Sequence, residues 1–295
     1  MRLVSYRTTY QAPWQAGIEQ DGLVVAASTV HNYGGQPPTV RALLEAGQSS
    51  VQAALDGARR VLAAGEQSLM KLDSLELGPP IPDPDKIICL GLNYADHAAE
   101  SKMALPPAPV LFAKYRNSLV GPQADIVLPP LNSEAVDYEA ELAVVIGQTC
   151  KSVSEQDALN YVAGYSIMND VSARDLQMQT SQWMPGKAID TFAPMGPGIV
   201  PASEIPNPQA LTLIARVNGQ ELQHASSELM IFSIAKTIEF ISSFMTLVPG
   251  DIISTGTPAG VGFTRNPPIF LHDGDVVEIE IERIGSIVNR VVGSK

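Results

Sequence analysis

Three acids two residues apart, Asp137, Glu139 and Glu141, lie in the segment Val136-Asp137-Tyr138-Glu139-Ala140-Glu141-Leu142-Ala143-Val144-Val145-Ile146-Gly147. The alternation reads as a β-strand, with Tyr138, Leu142, Val144 and Ile146 on one parity and the acids on the other. Side chains two apart on a strand stand roughly 6.5–7 Å from each other. At that spacing in a partly buried site, two carboxylates repel by about 2 kcal/mol at an effective dielectric near 20. A proton or a cation between them removes that cost. The chemistry on offer is a metal site; the competing reading is a polar strand face turned to water.

A third carboxylate, Asp170, follows an apolar run in Gly164-Tyr165-Ser166-Ile167-Met168-Asn169-Asp170, where a strand ends. With Glu139 and Glu141 it would complete an oxygen-only set, suited to Mg²⁺ or Mn²⁺ before Ca²⁺. Zinc would want histidine or cysteine, and none clusters here. Asp170 also reads as a helix N-cap. His97 and Glu100, in Asn93-Tyr94-Ala95-Asp96-His97-Ala98-Ala99-Glu100, share a face if a helix starts near Tyr94. A carboxylate bonded to imidazole orients it as a water-activating base, although such pairs are also ordinary surface features. His31, His224 and His272 lack such surroundings and read as structural.

Lys187 lies in the Gly/Pro-rich, largely apolar segment Pro185–Pro197 of a chain with only 19 basic residues. It suits stabilisation of an enolate or carboxylate, against the alternative of a snorkelling surface lysine. Lys114, after the run Val110–Ala113, has the same two readings. Ser254–Gly262 is a glycine-rich loop whose amides and Thr257 hydroxyl suit an anion. It is not a P-loop, since no Gly-Lys-Ser/Thr follows.

The elements that must position these groups are mostly strands. Leu3–Arg7 and Gln15–Ala27 read as short strands, with Asp21-Gly22 as a hairpin turn. A helix is expected from about Val51, with Ser50 as its cap. Pro79, Pro80, Pro82 and Pro84 mark a boundary between a small N-terminal α+β module, residues 1–80, and a larger unit, residues 81–295. Lys86–Leu90, Asp137–Gly147, Tyr161–Asn169, Leu211–Val217, Gln220–His224, Asp251–Thr255 and Val276–Ile281 read as strands, with Asn218-Gly219 a further hairpin turn. Ile234, Ile238, Ile241 and Met245 mark one buried helix face. Glu278, Glu280 and Glu282 read as a solvated strand face. Many strands and few helices predict an α+β, β-rich fold with a rolled sheet.

The 295 residues carry a net charge of −12, which argues against nucleic acid and acidic membranes as partners. No apolar run is long enough for a transmembrane helix, and the N-terminal residues lack a signal-peptide core. Two cysteines, Cys89 and Cys150, fit a reducing cytoplasm and exclude a disulfide framework.

In this order, the blocks Gly91–Glu100, Asp137–Gly147, Asn169–Gln177, Gly186–Pro197 and Ser254–Gly262 resemble the fumarylacetoacetate hydrolase family over most of residues 82–293. The resemblance implies a mixed β-sandwich roll around a metal site, usually as a homodimer. It maps the metal ligands onto Glu139, Glu141 and Asp170 and leaves out Asp137. It maps a mobile lid dyad onto His97 and Glu100, and the active-site lysine onto Lys187. Lys114, Gln177 and Thr257 fall at pocket-lining positions. The expectation is a metal-dependent hydrolase that cleaves a C–C bond in an acylpyruvate or diketo acid, with water activated by His97 and an enolate leaving group. The alternative is a decarboxylase of oxaloacetate or another 2-oxo acid, or an isomerase or hydratase of aromatic or sugar-acid breakdown. A non-catalytic acid-binding protein is the third reading, disfavoured by the full set of acids, dyad and lysine.

Overall fold

A computed structural model describes residues 1–30, 36–66, 68–130 and 133–294; His31 falls outside them. Alternating apolar residues build a long sheet. In spatial order its main strands are Met70–Lys71, Leu23–Ala26, Gln15–Gln20, Arg2–Arg7, Ala193–Pro201, Val162–Asn169, Ala140–Ile146, Ile252–Ser254, Ile87–Gly91 and Val110–Lys114. A five-stranded sheet, Gln220–Ser226, Thr212–Val217, Val276–Ile281, Gly285–Val292 and Ile126–Val127, packs across it. The chain is therefore β-rich with few helices, as its patterning predicts.

The strand Ala140–Ile146 is central, paired with Val162–Asn169 on one side and Ile252–Ser254 on the other. Leu142, Val144 and Ile146 face a core shared with the five-stranded sheet and the helix Ile234–Phe244. Ala143 and Val145, on the acids' parity, face a second core with Leu3, Ile18, Leu43 and Leu55. Both faces are covered, so the polar, water-facing reading of this strand does not hold. N-terminal residues contribute to that second core, and Arg2–Arg7 pairs with Ala193–Pro201 through Leu3 and Ile199.

Local rules explain most of the remaining elements. Asn218 and Gly219 both adopt positive φ, 52° and 79°, the geometry that closes a two-residue hairpin. The long helix differs from expectation. It spans Gln48–Ala64 with Gly47 at its N-cap, so Ser50 lies inside the first turn. The Glu278 and Glu280 carboxylates are not simply solvated, since Arg216 on the adjacent strand reaches both, at 3.5 and 2.8 Å. His224 and His272 are exposed.

Candidate active site

The acid segment bends before it becomes the central strand. Val136–Asp137 pairs with Ser172–Ala173, Tyr138 and Glu139 leave that ladder, and Ala140–Ile146 pairs instead with Val162–Asn169. The break turns Asp137 away from the other two acids. Its Oδ1 accepts from Arg174 Nε at 2.7 Å and its Oδ2 from the Phe263 N–H at 2.9 Å. Burial, then the charge of Glu139, pushes the Asp137 carboxyl up to about 6 against the pull of Arg174.

Glu139, Glu141 and Asp170 do converge. Each is buried, and one oxygen of each lies within 4.8 Å of the others. The Asp170 N–H donates to the Glu139 carbonyl, and Asn169 Oδ1 accepts from the Glu139 N–H, both at 3.0 Å. Those bonds lock the strand end to the bend. An octahedral Mg²⁺ with bonds of about 2.1 Å sets its ligands roughly 3.0–4.2 Å apart, so small contractions suffice.

The charge balance also fits a cation. Lys187 Nζ bridges Glu139 Oε2 and Asp170 Oδ2, at 2.7 Å each, and Arg174 Nη2 reaches Glu139 Oε1 at 2.6 Å. Burial alone would raise the Glu139 pKa; Lys187 and Arg174 overcome it and hold the group well below the carboxylate range. Burial likewise works against the Lys187 charge, and Asp170 and Glu139 outweigh it. Glu141 has no such partner. Its Oε2 accepts from Ser254 Oγ at 2.5 Å and the Gly256 N–H at 3.2 Å, and it makes no ion pair among the described residues. Burial, then the charges of Asp170 and Glu139, pushes it well above the carboxylate range. A buried carboxyl group without a counter-charge, beside two others that share Lys187, is where a divalent cation removes the largest cost.

Lys114 does not line the cavity. It is buried behind Asp170, donating to the carbonyls of Val171, Lys187 and Phe192 at 3.1, 2.5 and 2.7 Å. Its Nζ is 2.7 Å from Asp170 Oδ1 at an angle that leaves that oxygen without a hydrogen bond. Lys114 thus braces the site from behind; its place at the end of the strand Val110–Lys114 hid this in the sequence. Lys187, by contrast, ends a short helix, Met184–Lys187, of which Gly186 and Lys187 are buried, and lines the cavity with Gln177 and Thr257.

His97 and Glu100 do share a helix, Ala95–Glu100, which covers the acids. Glu100 Oε1 lies 2.8 Å from His97 Nδ1, and Glu100 Oε2 accepts from the Gly260 N–H at 2.9 Å and the Thr264 hydroxyl at 3.0 Å. Burial pushes Glu100 up, but the bonds from His97, Gly260 and Thr264 outweigh it and hold the group low. The latch is therefore intact at neutral pH and is lost only as acid protonates Glu100 below the usual Glu range. The amides of the glycine-rich loop meet the protein's own carboxyl groups, Glu141 at Gly256 and Glu100 at Gly260, while the Thr257 hydroxyl accepts from Gln223 Nε2 at 2.8 Å. Gly260 has φ +102°, and a Cβ there would lie 2.3 Å from the Leu222 carbonyl oxygen.

Thr264→Val should release that latch. A hydrogen bond to a charged group is worth roughly 1.5–3 kcal/mol, so activity should fall about tenfold and amide exchange should quicken in residues 95–103. Thr264→Ser should restore both. Unchanged exchange in the valine variant would show that Thr264 does not hold the lid.

Arg174 is the functional residue that sequence reading passed over. It is buried, ties Asp137 to Glu139, meets Gln177 Oε1 through Nη1 at 3.1 Å, and lies 4.5 Å from the centre of the Phe263 ring. The available signal was its being the one basic residue between Gly164 and Thr180.

Three buried carboxylates at a strand end, under a latched His–Glu helix and on a β-rich roll, define a class of acid-centred enzyme sites. The chain belongs to the fumarylacetoacetate hydrolase family: residues 86–292 match the family described as fumarylacetoacetate (FAA) hydrolase C-terminal. It is 43% identical over 295 residues to the Rattus norvegicus protein named oxaloacetate tautomerase Fahd2a, mitochondrial, covering 99% of this chain and 92% of that one. Among solved structures, maleylpyruvate hydrolase from Sphingobium sp. SYK-6, in complex with manganese(II) and pyruvate, superposes with a TM-score of 0.81 at 30% identity. The 5-carboxymethyl-2-hydroxymuconate delta-isomerase of Mycobacterium smegmatis gives 0.76 at 35% identity. The first covers 100% of both chains, as does the second. Relatives thus include a tautomerase, a hydrolase and an isomerase, and hydrolysis is not singled out. No helix among the described residues is long and apolar enough to cross a membrane.

Proposed function

We propose that this chain interconverts the enol and keto forms of a short 2-oxo diacid of the oxaloacetate type, with decarboxylation of the same acid as a related outcome. The observation that carries this reading is His97. Glu100 holds its Nδ1, leaving Nε2 for proton transfer in a cavity of about 50 Å³ lined by Glu139, Glu141, Arg174 and Lys187. The similarity to a protein named as an oxaloacetate tautomerase supports it.

In this reading Nε2 takes the proton from the carbon beside the keto group. The C–H electron pair forms the C=C bond, and the carbonyl π pair moves onto oxygen. Lys187 stabilises that oxygen, and Arg174, each of whose terminal nitrogens keeps an N–H, takes a carboxylate. Return of the proton to carbon runs the reaction toward the keto form. Decarboxylation of the same acid breaks the bond from that carbon to its carboxylate instead: carbon dioxide leaves, the bonding pair forms the enolate of the acid one carbon shorter, and a proton from solvent completes it. Glu139, Glu141 and Asp170 would hold Mg²⁺ or Mn²⁺, which supplies Lewis-acid polarisation of the keto oxygen when bound. C–C hydrolysis is the second reading, favoured by the same dyad and by the manganese- and pyruvate-bound relative. Cytoplasmic residence and a homodimer belong to this proposal. The two free, buried cysteines suit a reducing compartment, the rat relative is named as mitochondrial, and light scattering reads the dimer.

The test follows the ultraviolet absorbance of enol-oxaloacetate with Mg²⁺ or Mn²⁺, alongside carbon dioxide release and cleavage of acylpyruvates. Ketonisation at least tenfold faster than in buffer is the expected result. Acylpyruvate cleavage without any effect on the enol would replace this reading by hydrolysis.

A further inference from the structure

The cavity is lined by two unlike sets of residues. One is polar, with Glu139, Glu141, His97, Arg174 and Lys187; the other is apolar, with Leu90, Met103, Phe112, Met178 and Trp183. A volume near 50 Å³ holds a handful of waters at about 10–15 Å³ each. A short diacid can be satisfied by the polar set alone. A longer apolar tail has only the apolar set to meet, and the indole of Trp183 is its largest member.

We propose that Trp183 sets the length limit on substrate by closing the apolar end of the cavity. This rests on reading the site as one for a 2-oxo acid. The indole lies directly on Gly91: a Cβ there would be 2.2 Å from Cζ3 and 2.6 Å from Cη2. Only glycine leaves room for the ring at that depth. Phe112 meets the indole edge-on, with ring centres 5.5 Å apart, and its own ring lies 5.1 Å from Lys187 Nζ. Trp183 immediately precedes the helix Met184–Lys187, so the wall and the lysine are fixed by one short element. That helix has little freedom. Gly186 packs so closely that a Cβ would fall 2.4 Å from the Ala173 carbonyl oxygen and 2.6 Å from the Gln177 side chain. The distance from the anchoring cation to the wall is therefore set by packing. Truncating the indole removes the wall without touching a charged group.

The experiment titrates straight-chain 2-oxo acids of four to eight carbons into the protein by calorimetry, with saturating Mg²⁺. Wild type, Trp183→Ala and Phe112→Ala are compared. For the wild type, affinity is expected to fall at least tenfold across the series; in Trp183→Ala that fall is expected to disappear. Phe112→Ala should weaken the fall in the same sense, and it carries the prediction if Trp183→Ala does not fold. Equal affinity of the wild type for short and long acids overturns the proposal, as does failure of every acid to bind. An unchanged ranking in folded Trp183→Ala, or in Phe112→Ala where it stands in, does the same. A ranking that responds as expected without ketonisation of oxaloacetate would keep the wall and reject the assigned reaction. Ketonisation with a flat ranking would reject the wall alone.

Discussion

Glu141→Gln is expected to lower turnover by about 10³-fold or more while leaving the fold intact. The carboxyl group is buried, has no ion pair to lose among the described residues, and is held by Ser254 and Gly256, whose donors an amide oxygen also satisfies. Burial already favours its neutral form, so the neutral glutamine matches what the metal-free site prefers. What the substitution removes is one anionic ligand of the candidate centre. Lewis-acid stabilisation contributes several kcal/mol to a developing enolate, and about 4 kcal/mol is a factor of about 10³ in rate. Mn²⁺ titration by calorimetry and a thermal melt give the separate readouts: weakened Mn²⁺ binding with an unchanged or raised melting temperature. Wild-type Mn²⁺ affinity in this variant would remove Glu141 from the ligand set. Asp170→Asn should behave differently. It breaks the pairs with Lys187 and Lys114, and stranding a buried charge costs about 3–5 kcal/mol, so both metal affinity and stability should fall.

The second large effect is expected at His97. Replacing it by Gln should cost about 10²–10⁴-fold in turnover, the usual contribution of a positioned acid–base group. Mn²⁺ affinity should stay at the wild-type level, because His97 is not among the converging carboxylates. Metal binding and proton transfer are thereby separated by two single substitutions. Undiminished ketonisation of enol-oxaloacetate by the His97 variant would take the imidazole out of the chemistry. Glu100→Gln should fall between these extremes. Its amide can still meet His97 and Thr264, but its charge no longer supports an imidazolium.

Much of the site was legible because its residues obey short-range rules. His97 and Glu100 are three apart, and a single helical turn brings them together. Glu139 and Glu141 are two apart, and extended backbone keeps them near one another. Asp170 closes a strand whose apolar pattern is plain, Val162–Asn169. Asp137 obeys the same spacing as the other acids yet belongs to Arg174, because the ladder breaks at Tyr138 and Glu139. The family resemblance left it out; its spacing alone did not. Lys114, after an apolar run, and Lys187, inside a Gly/Pro-rich apolar loop, carry the same two readings in the chain, although Lys187 lines the cavity and Lys114 braces it from behind.

Sequence alone determined the strand-rich class, the carboxylate pair, the His–Glu helix turn and both two-residue hairpins, since each depends on dihedral preference or periodicity over a few residues. Tertiary structure decided which groups touch across long separations: Arg174 with Asp137 and Glu139, Glu100 with Gly260 and Thr264, and Trp183 with Gly91. Charges and rings so far apart along the chain meet only where strand order and close packing bring their backbones within a few ångströms, and local spacing carries no information about that order.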